Sequence, residues 1–94
     1  MYVGFEQVAA GAAAKTVSDL TIPGNAIGAE IQADTQNVNY TCDGTAPTAT
    51  AGMAFVTTME PKFIRIEDLR RIKFIQNAVG VGNLNIHYVA GRDV

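Results

Sequence analysis

Apolar side chains in this chain recur at every second position, and that period limits the fold more than any other feature. In "AIGAEIQAD", Ile27, Ala29, Ile31 and Ala33 alternate with Gly28, Glu30, Gln32 and Asp34. Such alternation suits a strand with one buried face and one wet face, because successive side chains of extended backbone leave on opposite sides. "NVNYTC" repeats it, with Val38, Tyr40 and Cys42 directed inward and Asn37, Asn39 and Thr41 outward. "NLNIHYV" does so again, setting Leu84, Ile86 and Tyr88 against Asn83, Asn85 and His87. Further candidate strands are "YVGFEQV", "KTVSDLTI", "GMAFVTT", "KFIRIE" and "RIKFIQNAV". Turn signals separate these segments at close intervals. The pattern therefore predicts an all-β chain of about eight short strands in an antiparallel, jelly-roll-like β-sandwich.

The connections carry their own expectations. Thr35-Gln36 is short enough to predict a hairpin between its flanking strands, or one long bent strand. Gly80-Val81-Gly82 predicts a second hairpin, joining "RIKFIQNAV" to "NLNIHYV". Helix is expected for one turn at most, in "IEDLRRI", capped by Asp68 with Leu69 inward and Arg70 and Arg71 outward. The alanine-rich "AAGAAAKT" is interrupted by Gly11 and has no amphipathic stripe, so it is read as a linker or bulged turn.

Length decides how much help such a sandwich needs. Ninety-four residues make one domain, 1–94,, with residues 1–25 read as a possible extended or swapped segment. A chain of this size buries little more than ~60% of its unfolded surface. Cys42 is the only cysteine, so no disulfide closes within the chain, and His87 is the only histidine, so a zinc shell would need carboxylates to complete it,. Burial against other chains is what remains. Composition agrees: charged residues are 17% of the chain and apolar ones 48%, against a usual charged share of about 25%. No apolar run approaches the ~20 residues of a membrane helix, and the N-terminus lacks a basic stretch ahead of its small-residue tract. A soluble, untargeted chain made in a reducing cytoplasm, with no membrane partner, is expected.

The net charge of -2 conceals a polarity. Residues 1–61 hold Lys15 against Glu6, Asp19, Glu30, Asp34, Asp43 and Glu60, whereas residues 62–94 hold six bases against Glu67, Asp68 and Asp93. Lys62, Arg65, Arg70, Arg71 and Lys73 form the cluster that stands out as a candidate interface. A nucleic-acid surface would combine such a cluster with a basic domain and exposed stacking rings. The sequence pI is about 5.1, and Phe63 and Phe74 each adjoin an isoleucine. A protein contact is therefore expected ahead of a nucleic-acid contact.

Reactive chemistry finds little support. His87 falls on the wet face of its strand with no orienting partner nominated, and Cys42 falls on the apolar face as a small hydrophobe. Glu67 and Asp68 are adjacent and point apart, and "GVG" lacks the lysine and the strand-to-helix setting of a phosphate loop. No catalytic residue, metal ligand or cofactor is expected, and the chain is not read as an enzyme. In "NYTCDGTAPTAT", Asp43 and Gly44 reverse the chain, since Asp bonds its own backbone two residues on and Gly accepts positive φ. Pro47 then holds the segment extended without a donor. These are shape-setting residues.

The segment from "AEIQADTQNVNYTCDGTAPTATAGM" to "RRIKFIQNAVGVGNLNIHYV" resembles a group of small virion proteins of tailed bacteriophages, in which two strands, a "DGTAPTAT-GM" turn, an "IKFI" strand and a terminal "LNIHY" strand follow in that order. About two-thirds of the chain is covered, and the "DGTAPT" turn is the most specific element. The resemblance implies a capsid decoration or cement protein, made in the host bacterial cytoplasm and located in the virion. Its partners would be itself, as dimer or trimer, and the major capsid protein or another virion protein. A head-tail, tail or fibre-base structural protein is the alternative. A carbohydrate-binding module is a third reading, set back by the lack of tryptophan and by aromatics placed mostly in apolar alternation.

Overall fold

A computed structural model describes residues 1–77 and 80–91. Among these residues eight strands form, named β1 (Tyr2–Ala10), β2 (Lys15–Thr16), β3 (Ala26–Asp34), β4 (Val38–Thr41), β5 (Met53–Phe55), β6 (Lys62–Arg65), β7 (Lys73–Gln76) and β8 (Gly82–Ala90). They build two antiparallel four-stranded sheets, β1-β8-β3-β6 and β2-β7-β4-β5. The first, sheet A, contains the three nine-residue strands, and the second, sheet B, has strands of four residues or fewer. Their inner faces share one core. Sheet A gives it Ile31, Leu84, Ile86 and Tyr88, sheet B gives Val38, Tyr40, Phe55 and Phe74, and Leu69 and Ile72 close one end.

Period-two alternation produces this arrangement directly. Along β8 every second residue from Gly82 to Ala90 is buried, and the all-β sandwich expected from the sequence is the architecture found. The connections differ from expectation. Thr35-Gln36 does not make a hairpin or a continuous bent strand, because β3 lies in sheet A and β4 in sheet B. Nor does the glycine loop at 80–82 make one, since β7 and β8 also belong to different sheets. Among the described residues, only β4 and β5 are strands consecutive in the chain and paired in space. Every other link crosses between layers, so a short glycine-bearing connection here marks an arch over the core.

Three further positions depart from the pattern. Ile27 is 46% exposed because a register shift between Ala26 and Gly28 takes it out of the ladder, and a bulge of this kind interrupts alternation locally. The segment "KTVSDLTI" is extended only at Lys15–Thr16, after which Val17–Asp19 forms a 3-10 turn. Its start is closed by a reciprocal cap: Thr16 accepts from the Ser18 amide and Asp19 accepts from the Thr16 amide,. The expected helical turn is α1 (Ile66–Leu69), with Leu69 fully buried. Asp68 is not its cap; Arg65 holds that position without a side-chain bond, and Asp68 lies within the first turn.

Charge closes the two flanks of sheet A. One inward-facing cross-strand row runs Glu6, Ile86, Ile31, Lys62, from edge strand β1 to edge strand β6. Charged residues at inward positions of edge strands discourage edge-to-edge stacking of sheets. At the β1 flank, Glu6 accepts a short hydrogen bond from the Tyr88 hydroxyl and one of 2.7 Å from the Thr21 amide. This carboxylate ties the 17–23 segment, whose Val17, Leu20 and Ile22 pack on the core, across the gap between the layers. At the β6 flank, the Lys62 ammonium sits 5.5 Å from the centre of the Tyr40 ring.

Candidate functional site

Two surfaces stand out on this fold: the flank where the terminal strands β5 and β6 end their sheets, and the outer face of sheet A. The flank arises because β5 and β6 are the terminal strands of their sheets. Between them opens a hollow of about 500 Å³ whose lining includes Tyr40, Cys42, Met53, Lys62, Ile64 and Asp68. The floor is apolar and the rim is charged. Cys42 has its thiol pushed up from the ordinary value by burial first and then by the nearby Asp68 carboxylate, so it stays a neutral, weakly nucleophilic group.

The five basic residues do not converge. Lys62 turns to the seam and covers the Tyr40 ring, and Arg65, at the far end of the same strand, also lines the hollow. Arg70 and Arg71 are exposed just beyond α1. Arg71 donates a 2.7 Å hydrogen bond to the Asp43 carbonyl, and so braces the loop after β4. Lys73 is half-buried and stands in β7 between Thr16 and Thr41. Lys62 and Arg65 flank the hollow, Arg71 is committed to the loop, and Lys73 belongs to sheet B.

That loop turns at Asp43 and Gly44. Asp43 Oδ1 accepts from the Thr45 amide at 2.9 Å, and Gly44 takes a φ of 88°, in the left-handed region where glycine has no steric penalty. The Asp43 carboxyl is held below its usual range, chiefly by the Thr45 backbone and side-chain bonds and least by Arg71. Thr41 donates to the Thr45 carbonyl, and Asn39 Nδ2 donates to the Thr48 carbonyl at 2.9 Å. Asn39 and Thr41 lie on the face of β4 away from the core. The loop therefore folds back over the outside of sheet B with Pro47 buried beneath it. Its small threonines and alanines permit that close approach.

The outer face of sheet A is organised in rows. Phe5, His87, Glu30 and Phe63 are successive cross-strand neighbours over all four strands, and Gln7, Asn85 and Gln32 form the next row. Phe5 is 65% exposed, Tyr2 54% and Phe63 45%. Tyr2 stacks on His87 with ring centres 3.8 Å apart and 9° between planes, and its hydroxyl donates to Glu30 Oε1 at 2.5 Å. That bond, the nearby Glu30 charge and slight burial raise the Tyr2 phenol, in that order of size. Phe5 meets His87 edge to face at 6.1 Å.

Sequence reasoning placed His87 on the wet face but missed this platform. Tyr2 and Phe5 sit in a segment where apolar and aromatic residues do not separate by parity, and a register shift between Tyr2 and Gly4 rephases it. The spacing of Phe5 alone, out of phase with Glu6 and Val8, was the available signal. No group of three or more histidine, cysteine, aspartate or glutamate side chains suited to a metal occurs among the described residues, and no helix among them is long and apolar enough to cross a membrane. Comparison with protein-family models, with curated proteins and with solved structures finds no match to this chain.

Proposed function

We propose that the chain is a non-enzymatic structural protein of a phage virion, which self-associates and binds the capsid surface as a decoration or cement protein. The observation that carries the reading is the β5–β6 flank. The terminal strands of the two sheets, β5 and β6, both line an apolar hollow there that Lys62 and Arg65 rim. Unpaired edges offer backbone donors and acceptors to another chain, and an apolar floor inside a charged rim has the composition of a protein contact. The resemblance of the "DGTAPT" turn and the later strands to small virion proteins supplies the setting.

The test combines light scattering after size exclusion with binding to purified shells that lack the protein. A dimer or trimer that co-sediments with shells, and a Lys62→Glu/Arg65→Glu variant that loses both properties while keeping its far-ultraviolet spectrum, is the expected result. A monomeric wild type that ignores shells refutes the proposal.

A further inference from the structure

We propose that the outer face of sheet A is a binding site for a neutral, hydroxylated ring such as a pyranose sugar. The site lies on the opposite side of sheet A from the core, away from the seam, and the inference does not depend on the capsid reading.

A hollow of about 230 Å³ opens there, lined by Phe5, Glu30, Gln32, Pro61, Asn85 and His87. It is smaller than the ~300–1,000 Å³ of pockets for drug-sized ligands, and suits one ring. Pro61 lines one side of it, and Gln32 in its lining is held by donating Nε2 to the Met59 carbonyl at 3.2 Å.

The hydrogen-bonding inventory of the lining identifies the ligand. Glu30 uses Oε1 for Tyr2, which leaves Oε2 as an acceptor. Gln32 uses its nitrogen for Met59, which leaves its oxygen as an acceptor. Asn85 accepts from Gln7 at 2.8 Å through Oδ1, which leaves its amide hydrogens as donors. Acceptors and donors thus stand a few residues apart on one flat face, beside ring surface from Phe5 and His87. An apolar protein surface laid over them would strand all three groups at a cost for each. A hydroxyl is both donor and acceptor, so a polyol ring answers each of them while its C–H face covers the rings.

Charge narrows the class. Glu30 is the one carboxylate among the described lining residues, so a sugar carrying a carboxylate is disfavoured by like-charge repulsion. Much of the ordering is already in place, since Tyr2 clamps both the His87 ring and the Glu30 carboxylate. Preorganised side chains lose less freedom on binding.

The experiment uses the full chain, labelled with nitrogen-15, titrated separately with glucose, galactose, mannose, N-acetylglucosamine and glucuronic acid. At least one neutral sugar should shift the amide resonances of Phe5, Glu30, Gln32, Asn85 and His87 in a saturable way, with glucuronic acid at least tenfold weaker. Phe5→Ala and Gln32→Ala should each weaken that sugar at least threefold while the dispersed spectrum of the folded chain is kept, with resonance changes confined to the neighbours of each substitution and, for Gln32→Ala, to the Met59 region that it holds. No saturable shift with any neutral sugar, shifts confined to another face, equal binding of the acid, or unchanged affinity in both variants would each overturn the proposal.

Discussion

Gly28→Ala tests whether close approach of backbone at the β3–β6 edge limits the sandwich. Gly28 sits opposite Arg65 of β6 and Val89 of β8. A methyl built on it would lie 2.4 Å from the Ile64 carbonyl oxygen and 2.6 Å from Phe63 Cζ, so β6 must move outward or the Phe63 ring must swing away. Overpacking of this kind costs typically ~1–3 kcal/mol. Gly28 is not among the positive-φ glycines, so alanine fits its backbone and recovers ~0.4–1 kcal/mol by restricting the unfolded chain. The net expectation is a loss of about 1–2 kcal/mol, which for a domain of this size lowers Tm by about 4–8 °C per kcal/mol. Thermal and urea unfolding followed by circular dichroism measures it. Phe63→Ala as a second background divides the two contacts, because it removes the ring and leaves the carbonyl. Gly28→Ala should still destabilise the Phe63→Ala chain by more than half as much as it does the wild type. An unchanged or raised Tm in the wild-type background, or a full rescue by Phe63→Ala, would show that the backbone contact is not limiting.

Two other expectations concern single residues. Tyr88 is buried and its phenol is pushed well above the ordinary value of 10, by burial first and by the Glu6 hydrogen bond second. Below pH 10 it is neutral folded and unfolded; above it only the unfolded chain ionises, so stability is full below that pH and falls as pH rises, by up to about 1.4 kcal/mol per pH unit. Tyr88→Phe should cost about 1 kcal/mol at pH 7 and flatten the decline measured by urea titration between pH 9 and pH 11; an unaltered slope contradicts the assignment. Thr35 links β3 to β4 with a φ of 76°, a left-handed conformation that costs an ordinary residue ~1–2 kcal/mol and suits a β-branched one least. Thr35→Asn should therefore raise stability by about 1 kcal/mol, and a variant that melts lower than wild type shows that the Thr35 side chain makes a contact worth more than the strain.

The strands were legible because alternation is a local property. Val38 and Tyr40, or Leu84, Ile86 and Tyr88, declare their inward face to any reader who counts by two. Which strand lies beside which is not local. The links at Thr35-Gln36 and at Gly80 have the length and composition of hairpin turns, yet each carries the chain from one sheet to the other. A turn's residues report its backbone angles and leave open whether the following strand hydrogen-bonds to the preceding one or packs against its side chains. Across 43–52 β4 and β5 are paired, and there Asp43 bonds the Thr45 amide and Gly44 takes a positive φ.

The same distinction separates the two surfaces. Lys62, Arg65, Arg70, Arg71 and Lys73 lie within twelve residues, so composition alone finds them, although the fold then scatters them between a seam, a loop brace and the second sheet. Tyr2, Phe5, Glu30, Gln32, Asn85 and His87 come from three strands that span nearly the whole chain. They become neighbours only when β8 takes its place between β1 and β3. Each alone reads as an exposed residue on a wet face, and what marks them as a group is register: His87 opposite Phe5 on one side and Glu30 on the other, with Asn85 opposite Gln7 and Gln32 one row away. A one-residue slip of β1 would turn Phe5 into the core and Glu6 out to solvent. The Glu6 carboxylate, tied to Tyr88 and Thr21 on the inner side, opposes that slip. The inward latch and the exposed platform are thus two faces of one register, and a residue with no place on the outer surface sets the geometry there.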